Sequence, residues 1–226
     1  MRVWYDLRTI APIKFNTMTK TLLAVALLTT ICASTTVQAT SPTALVYTNL
    51  TTFSANVNPG YRTETFDSLG TGALGYQINF TNQSFLFNAG TPLAPATGLY
   101  GVAGLGSDVW LSSNDPETIV FNFTSGNVTA VGGYFFNTDI NGSLTNSTLT
   151  ATINNGTTRT ILNANTNSFL GFTSQTPITS LTLSGDNTTF LTANNLVVGV
   201  VPEPSTLALA AFSGMSVLWM YRRRQA

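Results

Sequence analysis

Between residues 40 and 201 this chain carries its apolar side chains in short runs of period two, and that pattern excludes most architectures. Ile119, Phe121 and Phe123 point one way while Val120, Asn122 and Thr124 point the other, and Leu181 and Leu183 alternate in the same manner with Thr182 and Ser184. Runs bounded by Gly, Asn, Asp or Pro recur about every ten residues. They include Ala44 to Thr48, Arg62 to Phe66, Tyr76 to Phe80, Ser84 to Phe87, Val128 to Phe136 and Ile178 to Leu183. Asn155-Gly156, set between Leu149 to Ile153 and Thr158 to Leu162, predicts a hairpin with a type I′ turn. Ser125-Gly126-Asn127 turns the chain between two further strands, and Thr91 to Gly106 reads as a long loop with room for one short strand. Helical periodicity is scarce, and the fixed short repeat that a stacked β-helix needs is absent. About ten antiparallel strands require two packed layers, so the expected fold is all-β, a jelly-roll-like or Ig-like β-sandwich.

Charge is the missing ingredient. Only 8% of the chain is charged, against roughly a quarter in an average domain. From 40 to 201 two basic residues, Arg62 and Arg159, face seven acidic ones, a net of minus five. With no lysine there, the electrostatic footprint of a nucleic-acid binder is lacking. The chain has no histidine, which removes the commonest general base, the Ser-His-Asp and Cys-His devices and the commonest zinc ligand. Asn, Thr and Ser occupy the positions that charges usually take, and recurring aromatic and β-branched residues speak for order.

The two ends differ from this body. Met18, the expected start, leads through Lys20 into an apolar run from Thr21 to Ala33 and then Val37-Gln38-Ala39, the parts of a secretory signal peptide spanning 1–39 and cleaved after Ala39. The single cysteine, Cys32, leaves with it, so no disulfide is expected in the exported chain. At the C-terminus, residues 201–226 combine Pro202-Glu203-Pro204, an apolar stretch from Leu207 to Tyr221, and Arg222-Arg223-Arg224. The prolines keep the entry extended. The apolar stretch, about 22 Å long as a helix, can just cross a thin bilayer as one transmembrane helix. The arginines hold its end on the cytoplasmic side, which puts residues 40–200 outside as an ectodomain.

This tail resembles the PEP-CTERM sorting signal of exosortase substrates. The resemblance implies that an exosortase, a membrane-embedded enzyme, recognises Pro202, Glu203 and Pro204 and removes the helix and basic tail. Leu207 to Tyr221 would then be a transient inner-membrane anchor and Arg222, Arg223 and Arg224 its stop-transfer charge. The processed protein would reach the cell surface or the extracellular matrix. The body also resembles, less specifically, a recurrent type of exosortase-substrate ectodomain, through Val131 to Phe136, Phe169 to Phe172 and Pro177 to Leu183.

Within the body three kinds of site are candidates. Asn137, Asp139 and Asn141 place oxygen ligands at alternate positions before Gly142, as a calcium loop does, although Asn137 leads where a full EF-hand has Asp and Thr148 stands at the twelfth position. A polar turn explains the same residues without an ion. Carboxylate pairs for glycoside hydrolysis are poorly placed: Glu64 and Asp67 point to opposite faces of a strand, and Asp115 and Glu117 flank Pro116 in a turn. Trp110, Tyr61, Tyr76, Tyr100 and Tyr134 could stack on sugar rings, or fill the core. The expectation is a non-catalytic binding module, without a required cofactor, that associates with exopolysaccharide or another matrix protein in a biofilm. The alternatives are a self-associating adhesive protein and a carboxylate-dependent glycan hydrolase.

Overall fold

The computed structural model describes residues 44–81, 84–92, 98–104, 106–116 and 118–202. The expected signal peptide, Ala39, Glu203, Pro204, the apolar stretch from Leu207 to Tyr221 and Arg222 to Arg224 lie outside these. Among the described residues no helix is long and apolar enough to cross a membrane.

Two antiparallel sheets face each other across one apolar core. The larger is built on β1 (Leu45–Tyr47), β3 (Gly72–Gly75), β6 (Leu99–Ala103), β7 (Val109–Ser113), β9 (Ala130–Thr138), β13 (Phe169–Thr173) and β15 (Phe190–Gly199), in the order β1-β13-β9-β15-β7-β6-β3. Two short strands join it, β2 (Arg62–Glu64) on β15 and β10 (Leu144–Thr145) on β9. The smaller contains β4 (Gln77–Phe80), β5 (Phe87–Gly90), β8 (Ile119–Phe123), β11 (Leu149–Ile153), β12 (Thr158–Ile161) and β14 (Ser180–Ser184), ordered β12-β11-β14-β8-β5-β4. From β7 onward the chain passes from one sheet to the other at nearly every connection, so most neighbours in a sheet are distant in sequence.

The period of two does what it promised. Ile119, Phe121 and Phe123 of β8 and Leu181 and Leu183 of β14 turn inward and meet Val131, Phe135, Leu170 and Leu191 from the larger sheet. Burying one such side chain contributes roughly 1.5–3 kcal/mol. The outer face of the larger sheet is covered in part by α1 (Leu50–Ser54), a single helical turn that strand periodicity does not announce. Asn49 caps it by accepting from the Thr52 N–H at 3.1 Å. Phe53 drives it onto the sheet, its ring 5.4 Å from that of Phe169 and 5.7 Å from that of Tyr47.

Several expected strands shift. The run from Arg62 to Phe66 ends at Glu64 because Phe66 takes a left-handed backbone, φ 67°, and leads into a 3-10 turn at Asp67–Leu69. This sends the Phe66 ring into the core, 5.7 Å from Phe80 and 6.4 Å from Phe121. In place of Ser84 to Phe87 the strand is β5, and Phe85 is buried from the turn before it. The hairpin at Asn155-Gly156 is present, but its turn is not type I′, which needs positive φ at both central residues. Gly156 alone has it, at 84°, and its N–H donates to Ile153 O at 2.9 Å. The loop is therefore a β-turn over 153–156 closed by a left-handed glycine, the three-residue class of hairpin.

Candidate functional site

A groove of about 490 Å³ opens on the outer face of the larger sheet. Its floor comes from β6 and β7, and its wall is the turn that leaves β9, Asp139 to Gly142. Gly142 makes that wall possible: its φ is 77°, and a β-carbon there would stand 2.6 Å from Val102 Cγ1. Beneath the groove the hydroxyls of Ser112, Thr192 and Thr138 form a buried chain, with Ser112 Oγ 3.0 Å from Thr192 Oγ1 and the latter 3.2 Å from Thr138 Oγ1. Tyr100, directly opposite Ser112 in the β6–β7 register, is 39% exposed and contributes the aromatic surface. Asn114, Asn141 and Thr71 add amide and hydroxyl groups, and Asp139 is the one charged residue of the lining.

Two of the three expected calcium residues line this groove, but the three do not converge. Asp139 is engaged by its own turn: its Oδ1 accepts from the Asn141 N–H at 2.8 Å and the Ser143 N–H at 2.9 Å. Asn137 lies on β9 with its side chain on the inner face beside Leu191 and Gly185, fully buried, its Oδ1 and Nδ2 without a hydrogen-bond partner among the described residues. The end of β9 separates them: Asn137 is still paired within the strand, opposite Leu191, whereas Asp139 lies beyond Thr138 in the turn. Among the described residues no three Asp, Glu, His or Cys side chains group as a metal site would require.

The aromatic candidates also divide. Trp110 is 5% exposed, packs edge-on against Phe136 with centroids 4.9 Å apart, and donates Nε1–H to Asp108 Oδ2 at 2.7 Å. Tyr134 packs against Phe169 at 5.5 Å. Tyr61 and Tyr76 are exposed away from the groove, which leaves Tyr100.

Among the carboxylates, Glu64 is paired with Arg62, and Asp67 meets a partner that spacing did not suggest. The Asp67 carboxyl is held below its ordinary range by the Thr65 hydroxyl, then by the Val109 N–H at 3.0 Å, and also by a hydrogen bond to Asp108. Asp108 Oδ2 in turn accepts from Asn194 Nδ2 at 2.9 Å, at a bulge in β15. The two aspartates are 41 positions apart in sequence, and the pairing of β2 with β15 and of β3 with β6, the strands on either side of Asp67, brings them together.

A pH dependence follows. A carboxyl whose folded pKa is depressed stabilises the fold above its unfolded value, here 3.8, and that contribution is lost as pH falls through the lowered folded value. Asp67→Asn is therefore expected to lower the urea midpoint at neutral pH, with the gap to the parent closing as pH falls below 3.8. Urea titrations of both proteins across that range check it; a gap that stays constant with pH would sink it.

The two ends of the sandwich differ in what they carry. Leu45, Thr173, Ala130 and Gly199 stand in one row across β1, β13, β9 and β15. Both the entering and the leaving chain therefore sit at one end. Thr138 and Phe190, which border the groove, mark the other, eight residues along β9 and about 27 Å away. The chain leaves the described fold at exposed Pro202, at the start of the expected sorting tail.

A sandwich whose last strand runs straight into a sorting tail belongs to the class of exported surface proteins sorted from their C-terminus. Residues 200–224 match the family model of the PEP-CTERM protein-sorting motif, and the protein is a PEP-CTERM domain-containing protein, an exosortase substrate. That match covers the tail alone. No curated protein and no solved structure matches the chain.

Proposed function

We propose that this exosortase-processed surface protein is a non-catalytic binding module of the extracellular matrix, and that its groove takes an uncharged stretch of exopolysaccharide. The observation that carries the reading is the half-exposed Tyr100 ring set among hydroxyl and amide groups, in a lining with a single charge. An aromatic face stacks on the apolar face of a pyranose while the hydroxyls and amides exchange hydrogen bonds with its rim. The position supports it too, since the groove lies at the end of the sandwich farthest from the tail. Within the sandwich class the strand order favours the jelly-roll-like type over the Ig-like one: β7-β15-β9-β13 faces β8-β14-β11-β12, the order of a doubled Greek key. Jelly rolls include lectin domains, which is an analogy of fold and not of site.

Tyr100→Ala is expected to weaken retention on washed exopolysaccharide about tenfold, as removal of a central aromatic anchor does. Sedimentation of the processed protein with the washed polymer measures it. Retention that survives enzymatic digestion of the polysaccharide, or that Tyr100→Ala leaves unchanged, would overturn the reading.

One observation favours self-association as a second reading. Edge strand β1 exposes Leu45 at 58% and Val46 at 39%, a template for pairing with another chain. Light scattering of Val46→Lys against the parent decides: equal masses in the two would remove it.

A further inference from the structure

The sorting motif begins inside the fold. Its matched span opens at Val200, whose carbonyl accepts from the Asn58 N–H at 2.8 Å. Val201 is held too: its N–H donates to Thr129 Oγ1 at 2.8 Å, and its side chain packs against the cluster of Phe53, Val57 and Val197. Only with Pro202 does the chain become exposed. Between Val201 and Leu207, the first residue of the apolar stretch, lie five residues, which span at most about 20 Å when fully extended. An enzyme embedded in the membrane must close around Pro-Glu-Pro within that gap, and the upstream flank it would grip is part of the sandwich.

We infer that the folded domain limits the exosortase's access to the motif, with Thr129 and Asn58 as positioning residues that hold its upstream flank, so that processing proceeds through local opening of Val200 and Val201. Strand ends open more readily than whole domains, and here the opening must break two hydrogen bonds and withdraw two apolar side chains, Val200 from the main core and Val201 from the smaller cluster. The accessible form is the minor one, and the rate of tail removal follows its population.

The test follows conversion of the full-length precursor in cells that carry the exosortase, by pulse-chase. A flexible Gly/Ser spacer of about six residues after Val201 leaves the fold intact and is expected to speed conversion on the order of tenfold. Thr129→Val, which keeps the shape and loses the acceptor, is expected to speed it less, and Thr129→Ser, which keeps the acceptor, to match the parent. Conversion of the spacer variant at or below the parent rate would overturn the inference, as would equal acceleration by Thr129→Val and Thr129→Ser. Conversion that ignores loss of Pro202 and Pro204 would instead remove the role of the motif itself, and the two failures are separable in one set of gels.

Discussion

Arg62→Ala is expected to lower the unfolding free energy by about 3–5 kcal/mol, the cost of leaving a buried charge without its partner. Arg62 lies on β2, but its side chain reaches between the sheets, 7% exposed, and is ion-paired with Glu64, itself 12% exposed. One guanidinium N–H donates to Phe85 O at 3.2 Å, and the group stands 5.1 Å from the centre of the Phe87 ring. The arginine thus ties the edge of the larger sheet to the smaller one through a charge, a hydrogen bond and an aromatic face. Alanine strands the Glu64 carboxylate in an apolar setting and opens a cavity as well. Against a total of about 5–15 kcal/mol this is a large fraction, corresponding to a fall in Tm of roughly 6–20 °C. Chemical denaturation of the processed domain measures it, and a loss under about 1 kcal/mol would show the pair to be dispensable. Replacing both partners by apolar residues, Arg62→Met with Glu64→Leu, should recover much of the loss, because an apolar pair carries no desolvation cost.

The second large effect is on sorting. Pro202→Ala with Pro204→Ala is expected to reduce tail removal at least tenfold, and the precursor should accumulate in the membrane fraction at its unprocessed mass. Proline fixes φ and lacks an N–H. Without the two rings nothing prevents β15 from running on past Val201, or a helix from starting earlier, and either would consume the stretch that the exosortase reads. The sandwich itself should keep its unfolding midpoint, since Pro202 is exposed. Immunoblots of membrane and medium fractions decide between the outcomes; release at the parent rate would refute the role given to Pro-Glu-Pro.

Some of this was open to reading from residues alone. The alternation in β8 and β14 placed Phe121 and Leu183 on a buried face, and both are fully buried. The tail was more legible still, because a sorting signal is read as a linear string in which order and composition are the information. Asn137, Asp139 and Asn141 mark where that kind of reading stops. Their spacing suits a calcium loop only if all three lie in the loop, and β9 runs on through Thr138 because it pairs with Phe190 and Leu191. That pairing turns Asn137 inward and leaves Asp139 to organise the turn that walls the groove.

What the sequence determined by itself is the all-β character, the absence of histidine-based chemistry and the processed C-terminus. Each follows from local composition or from a period that any strand must obey. The tertiary structure alone decided which strands became neighbours. It brought Asp67 to Asp108, buried Trp110 while leaving Tyr100 open, and gathered the chain's two exits at one end with the groove at the other. A period of two assigns each side chain to a face, but it carries no register between strands that are tens of residues apart. That register is set by how Phe66, Phe121, Phe135 and their neighbours fill one core, a property of the packed sheets together.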